Sequence, residues 1–406
     1  MRLSYRGVLL DIESVDDHAV PLNEKDIAMQ HVYSVNTLIE LADIMLGSAN
    51  CALTLGHTVP GDGGGGLFHW VADASEEPNH GTVLKSRSSK SGRWRRVIAA
   101  PLDIRWFGAA SIPNATDAIQ SALDAAQSGG TVYVPSGKYR VTRPLQIPQG
   151  VLLQGDGLFS ELHYEGPPKT GCLQVRGEPH TIALGVSRLN LFVHTEGAYG
   201  LDLRGMSYSR FDHVTVHLRK PNTSGFFGPG IRKGSSPYYN VFTACHVAGT
   251  AEHRSNGCVG FDFHYDEPDQ LQSANANQIF GGRVSSCQIA VRCYGTGNIF
   301  HGQVLESNDV GYQFDLCPAR REHQQRGTNN DVLGGYSEHV RLVVQQRHAD
   351  CYVTAQLTMV TGYEKVFDAI STSNCVILSP HNDTNPASRS VMDRNVFVPD
   401  GRVSKE

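Results

Sequence analysis

A pattern that returns at Asn277, Asn298 and Asn330 constrains this chain more than any other feature. Each asparagine is followed two positions on by an apolar residue (Ile279, Phe300, Val332), four on by glycine (Gly281, Gly302, Gly334) and twelve on by an aliphatic (Ile289, Val310, Leu342). The spacings are 298 − 277 = 21 and 330 − 298 = 32. The shorter interval is about what one coil of a β-solenoid needs, and a longer one must discharge its extra residues as a loop on one face. A second register agrees, because the segments beginning at Gly200, Gly260 and Gly311 all alternate apolar and polar residues. Asn240 and Asn374 read as degenerate members of the series. An asparagine that recurs at a solenoid turn forms a buried amide ladder, so these residues are read as structural.

Composition fits that picture. Forty-two glycines, 18% charged residues and no long helical apolar pattern predict many short strands joined by tight turns, so the 406 residues suit an elongated repeat better than several compact domains. A net charge of −5 without a long Lys/Arg run argues against duplex nucleic acid as a partner. Apolar stretches such as Val8-Leu9-Leu10 fall far short of the roughly 20 residues that span a bilayer, so no membrane insertion is expected. Asp11, Glu13, Asp16 and Asp17 follow the first residues at once and no small-residue cleavage site appears, so a signal peptide is not expected. Nine cysteines scattered from Cys51 to Cys375 without a CxxC pair read as small buried hydrophobes in a chain made in a reducing cytoplasm. No cofactor is implied.

Ahead of the repeats, Thr37 and Glu40 have capping-box spacing at the start of a helix near Asn36 to Met45. The run Gly61-Asp62-Gly63-Gly64-Gly65-Gly66 would need a strand before it and a helix after it to cradle phosphate; a strand follows instead, which predicts a tight turn. The basic segment Gly92-Arg93-Trp94-Arg95-Arg96 comes next. Thr116 to Ala126 then reads as a helix with Ala118, Ala122, Leu123 and Ala126 on one side, stopped by Gly129-Gly130. Strands around Thr131-Val132-Tyr133-Val134 and Val151-Leu152-Leu153 follow.

The stretch from Trp106 to Gly157 resembles the opening of the pectate-lyase-like superfamily of right-handed parallel β-helices, in which a short helix caps the first coil. Gly61 to Arg96 looks like the module found ahead of such helices in phage tailspikes; together the two cover about a third of the chain. One departure is that Ser111-Ile112-Pro113-Asn114-Ala115-Thr116-Asp117 stands where the family often has Gly-Asp-Gly-x-x-Asp-Asp. The resemblance implies an all-β, single-stranded right-handed parallel β-helix over residues 103–380, an attachment or oligomerisation module over 1–102 and a short tail over 381–406. It also implies a homotrimer on a phage tail, made in the host cytoplasm, whose substrate is a bacterial surface polysaccharide. Roughly nine or ten coils fit the shorter period.

In a parallel β-helix equivalent positions on successive coils stack about 4.8 Å apart, so a periodic position becomes a column on one face. Eight residues after each ladder asparagine stand Ser285, Glu306 and Glu338, which puts the two glutamates on adjacent coils. Carboxylates about 5 Å apart match a retaining glycosidase, one as nucleophile and the other as acid/base, whereas a wider pairing through Asp309 matches inversion. The structural alternative is that these glutamates bond turn amides or neighbouring side chains. Val304-Leu305-Glu306-Ser307-Asn308 also resembles a recurrent tailspike coil motif. The insertion from Cys317 to Thr328 carries Arg320, Arg321, His323 and Arg326 and leaves the solenoid between the glutamate-bearing coils, where it would either hold an anionic sugar or stand as a solvated loop.

A second column comes from the alternating register, which sets Asp262, His264 and Asp266 opposite Phe261, Phe263 and Tyr265 and stacks Arg292 and Gln313 above Asp262. With Asp202 this is either a sugar-binding stripe, a lyase site with a base and a uronate-neutralising cation, a weak divalent-metal candidate, or an ordinary solvated face. The favoured function is glycoside hydrolysis of a polysaccharide. A lyase or epimerase acting on uronates and a noncatalytic carbohydrate-binding spike are the rivals.

Overall fold

The ladder asparagines are buried in the interior of a coiled chain. A computed structural model describes residues 4–5, 8–9, 32–44, 50–99, 101–126, 129–175, 183–229, 237–250, 255–265, 274–316, 328–370 and 375–378. Each turn of the chain lays one strand into each of three sheets. The first holds eleven strands, from Leu102–Asp103 and Thr131–Val134 to Cys375–Leu378. The second holds nine, from Gly137–Val141 to Met359–Thr361, and the third nine, from Leu145–Ile147 to Lys365–Ala369. In all three, each strand pairs in parallel with the one contributed by the next coil, the arrangement of a right-handed parallel β-helix. Insertions of unequal length explain why the repeat spacing varies while the register does not.

The amide ladder supplies that register. The side-chain nitrogens of Asn240, Asn277 and Asn298 donate to the side-chain oxygens of Asn277, Asn298 and Asn330 at 3.0, 3.0 and 3.1 Å. Their backbone amides donate to the same oxygens, and each amide nitrogen also reaches a carbonyl of the preceding coil, as Asn298 does to Ala274 at 3.0 Å. Asn374 lies outside the described residues. Four positions on, Gly281, Gly302 and Gly334 turn the chain at φ of +61°, +66° and +69°, a left-handed geometry that favours glycine. Inside, Phe211, Phe242, Ile279, Phe300 and Val332 are in vertical register and buried, with the Phe211 and Phe242 rings stacked at 4.6 Å. The described cysteines are free, and burial pushes the Cys245 and Cys293 thiols up to about 12.

The helix Thr116–Ala125 closes the first coil, burying Ile119, Ala122 and Leu123 in the solenoid core. The Asn114 side chain accepts from the Thr116 amide at 3.1 Å and so satisfies one free donor of its first turn. Ahead of it, Val32–Val35, Cys51–Thr54, Gly66–Val71, Arg93–Arg96 and Val83–Leu84 form a five-stranded sheet around Leu41, Phe68 and Trp94. The helix there, Leu38–Asp43, is shorter than the pattern suggests; Thr37 accepts from the Glu40 amide at 3.3 Å, and the Glu40 carboxylate accepts from the Asn36 amide at 2.8 Å. In the glycine run, the Asp62 carboxylate itself takes the amides of His57, Thr58, Val59 and Gly64 at 2.8–3.1 Å, filling the cradle an anion would occupy. Arg96 is buried between Phe68 and Trp106, 4.6 and 4.8 Å from their rings, and donates to the carbonyls of Gly64, Gly65 and Gly81. It therefore joins this sheet to the start of the solenoid.

On the third sheet the outward column runs Asp202, Phe227, Asp262, Arg292, Gln313, Gln345 and Asp368. This column is not the ordinary solvated face that was one of the expectations, since Asp262 is 1% exposed and Asp202 4%. Burial alone would raise the Asp262 pKa. Arg292, donating at 2.7 and 2.6 Å, and His264, with Nδ1 at 2.7 Å, outweigh it and hold the carboxyl well below the usual range. Ser224 donates to the same carboxylate at 3.0 Å.

Asn298→Ala removes four ladder bonds and strands the Asn277 amide and the Ala274 carbonyl; a loss of about 3 kcal/mol is expected in chemical melts, and less than about 1 kcal/mol would contradict the ladder's role. Asp262 has a folded pKa below its unfolded value of about 3.9, so its pairing stabilises fully above that pH and the gain is lost as pH falls towards the folded pKa. Asp262→Asn is expected to cost about 3 kcal/mol at neutral pH, with the gap to wild type narrowing below about pH 4.

Candidate functional site

The second sheet presents its odd columns to solvent and its middle column to the core. Val284, Leu305, Ser337 and Val360 face inward, so their neighbours Ser285, Glu306, Glu338 and Thr361 form one outward column. Glu306 and Glu338 are register partners on adjacent strands, which sets them about 4.8 Å apart along the column. The Arg283 guanidinium lies 2.6 Å from Glu306, and the Tyr336 hydroxyl donates to Glu338 at 2.7 Å. That bond raises the Tyr336 pKa and keeps the phenol a donor. His339 Nδ1 stands 3.7 Å from the other Glu338 oxygen.

Asp309 is not in this column. It sits at the turn after Glu306 and is engaged by Arg341 at 2.5 and 3.2 Å. Arg321, His323 and Arg326 lie outside the described residues, as does Asp266. The described residues end at Leu316 on the Glu306-bearing coil and resume at Thr328 on the Glu338-bearing coil. Asp262, Arg292 and His264 are brought together, but chiefly with one another; the Asp262 charge is spent inside the protein, while Arg292 and His264 are 25% and 21% exposed. Among the described residues no group of three His, Cys, Asp or Glu side chains could hold a metal ion, and no helix is long and apolar enough to cross a membrane.

The same outward column carries a feature that the sequence pattern did not disclose. His163, Phe192 and His217 are register partners whose rings stack at 4.6 and 4.5 Å, with interplanar angles of 3° and 12°. Arg219 lies over Phe192 at 5.2 Å. Glu161 Oε2 is 2.8 Å from His163 Nε2, and His163 Nδ1 is 3.0 Å from His194 Nε2, forming a carboxylate–imidazole–imidazole chain. Burial, then the neighbouring His163, lowers the His194 pKa; burial, then Arg219, lowers that of His217. The coil intervals here are 192 − 163 = 29 and 217 − 192 = 25, so no fixed period marks these residues in the sequence. The usable signal was the alternation of His163, Phe192 and His217 with inward Leu162, Leu191 and Val216.

Two family models match parts of the chain. One, for a phage tail protein small four-stranded β-sheet domain, covers residues 34–99; the other, for rhamnogalacturonase A/epimerase, pectate lyase-like, covers 107–165. No curated protein matches. Among solved structures, the tailspike protein of Acinetobacter phage vB_ApiP_P1 is 17% identical, with a TM-score of 0.62 over 85% of this chain and 63% of that one. The tailspike of Acinetobacter phage vb_AbaP_AS12 is 13% identical, with a TM-score of 0.64 over 91% and 66%. A tailspike from Acinetobacter baumannii bacteriophage Fri1, a capsular polysaccharide depolymerase, is 14% identical, with a TM-score of 0.53 over 86% and 70%. The chain thus spans a little under two thirds of the length of the first two. With its five-stranded sheet, its capping helix and its three parallel sheets, the chain has the right-handed parallel β-helix fold of phage tailspike proteins, opened by a pectate-lyase-like first coil.

Proposed function

We propose that the chain is a tailspike-type depolymerase that cleaves a bacterial surface polysaccharide by glycoside hydrolysis at Glu306 and Glu338. The observation that carries this reading is the register of the two glutamates in one outward column. Their strand spacing fits the roughly 5–5.5 Å that separates the carboxyls of a retaining enzyme. Glu306, held in place by Arg283 at 2.6 Å, would attack the anomeric carbon and form a glycosyl ester as the bond to the leaving oxygen breaks and that oxygen takes a proton from Glu338. Glu338 would then draw a proton from water as the water oxygen attacks the anomeric carbon and breaks the ester, which releases the sugar, returns Glu306 as a carboxylate and leaves Glu338 as the acid for the next cycle. The capsular depolymerase activity of the Fri1 tailspike supports the substrate class. The match to a phage tail domain at 34–99 supports attachment to a virion tail through that sheet.

A homotrimer is part of the reading. Tyr208 and Tyr239 stack at 5.0 Å and are 58% and 54% exposed beside the first sheet, and Phe280 and Tyr352 on its strands are 36% and 48% exposed, aromatic surface that a second and third copy would cover. One observation favours a second chemistry, β-elimination on a uronate. In it His194, oriented by Glu161 and His163, would take the proton next to the carboxylate while Arg219 neutralises that carboxylate; the β C–O bond then breaks as the double bond forms, and the departing sugar oxygen takes a proton from water.

Incubation with purified capsules and lipopolysaccharides separates the readings. New reducing ends without unsaturated-uronate absorbance are expected; absorbance would mean elimination, and binding with no new ends a noncatalytic spike. Glu306→Gln and Glu338→Gln are each expected to lower kcat by about 10³-fold without changing the melting temperature, and unchanged turnover in the double variant overturns the assignment. Sedimentation equilibrium is expected to give a trimer for wild type and a lighter species for Phe280→Asp.

A further inference from the structure

The outward column of the second sheet changes character along its length. In order it presents His163, Phe192, His217, Ala248, Ser285, Glu306 and Glu338. Three rings are followed by two of the smallest side chains, and these by the carboxylates. The ring ladder therefore ends at His217, whose far face looks across a methyl group. Three strand spacings, about 14 Å, separate His217 from Glu306, and over that distance the floor is half-buried Ala248 followed by Ser285, which is 8% exposed. The parallel column beside it runs Thr215, His246 and Arg283, giving the trough a polar and cationic flank.

A cavity of about 300 Å³ opens from that flank. Thr215 and His246 line it together with Asp156, Leu158, Arg188 and His213. Its one aspartate is already engaged, accepting from the Tyr133 hydroxyl at 2.7 and 2.8 Å and from the Ser136 amide and hydroxyl at 2.9 and 3.0 Å. His213 faces Asp212 at 2.9 Å. Among the described residues no carboxylate pairs with the exposed Arg188 guanidinium, so the cavity has a cation to offer.

We infer that this trough and its side cavity form the substrate cleft leading to Glu306, and that the ligand is an acidic glycan. A sugar face lies on the His217 ring, the chain continues over Ala248 and Ser285 to the glutamates, and an acidic substituent enters the cavity towards Arg188. The inference rests on the depolymerase reading and deepens it. Carbon-bound hydrogens of a pyranose face pack against an aromatic ring as other apolar surfaces do, while a carboxylate gains charge-assisted hydrogen bonds from a guanidinium.

The test uses the full chain carrying Glu306→Gln and Glu338→Gln, so that binding is read without cleavage. Its probes are purified capsular polysaccharides, each native and carboxyl-reduced, run by affinity electrophoresis. Ala248→Trp fills the trough from its outward floor, and His217→Ala removes the platform; each is expected to weaken binding of the retained capsule at least tenfold. Arg347→Trp, a bulky change at the exposed end of a third-sheet strand, is expected to leave binding intact. Carboxyl reduction and Arg188→Ala are expected to weaken it at least fivefold. Full retention by Ala248→Trp and His217→Ala, with wild type still cleaving, overturns the trough and leaves the depolymerase reading standing. Equal binding of native and reduced capsule overturns the acidic ligand. If wild type neither binds nor cleaves any capsule, the depolymerase reading itself falls and takes the cleft with it.

Discussion

A buried primary amide brings two donors and an acceptor into a place without water, and each must find a partner there. The asparagines from 240 to 330 meet that demand only by stacking. For Asn277 and Asn298 one donor goes back to a carbonyl of the previous coil, the other goes to the next asparagine, and the oxygen receives both an amide and a backbone N–H, with Asn240 and Asn330 at the two ends of the series. The spacing that satisfies the amides is the spacing of paired strands, so side-chain and backbone bonding select the same register. A slip of one residue would reverse the facing of every side chain in a strand, sending Glu306 inward and Leu305 to solvent. Everything proposed for the surface depends on that register being held.

It also explains why part of the surface can be read by counting residues. The series at Asn277, Asn298 and Asn330 is visible because one coil carries no insertion and the next carries a single one, so counting eight residues on from each asparagine assigns the glutamates to adjacent coils. Further towards the N-terminus the intervals in the same column are 29, 25, 31 and 37 residues. Each coil there inserts a different length, and because the described asparagine ladder begins only at Asn240 no counting rule links His163 to Phe192 or His217. The rings are as well stacked as the glutamates; only their address in the chain is irregular.

The alternating segment around Asp262 shows a different limit. Alternation fixes which way a side chain points from its own strand, and Asp262 does point away from the core that Phe261 and Phe263 fill. It says nothing about what lies on that side. Stacking set Arg292 beside the carboxylate, His264 closed over it, and a position that read as solvated became a buried ion cluster. Asp62 carries the same lesson at smaller scale. A glycine-rich loop was correctly read as a turn, but the carboxylate that organises it could be recognised only once four amides were seen to converge on it.

A solenoid divides its labour between inside and outside more cleanly than a compact domain can. Inward columns must stay apolar and of matched volume, because each ring or branched chain packs against the coils above and below. Outward columns carry no such obligation, so neighbouring coils can present a ring, a methyl, a hydroxyl and a carboxylate in succession at little cost to the core. That freedom produces relief along one axis, and the axis is the one along which a polymer would lie. A glycan bound there meets each coil in turn. On the proposed reading, steps in side-chain size would hold its position while a single pair of coils supplies the chemistry, so that the change from rings to small residues to acids would matter more than any one of those residues.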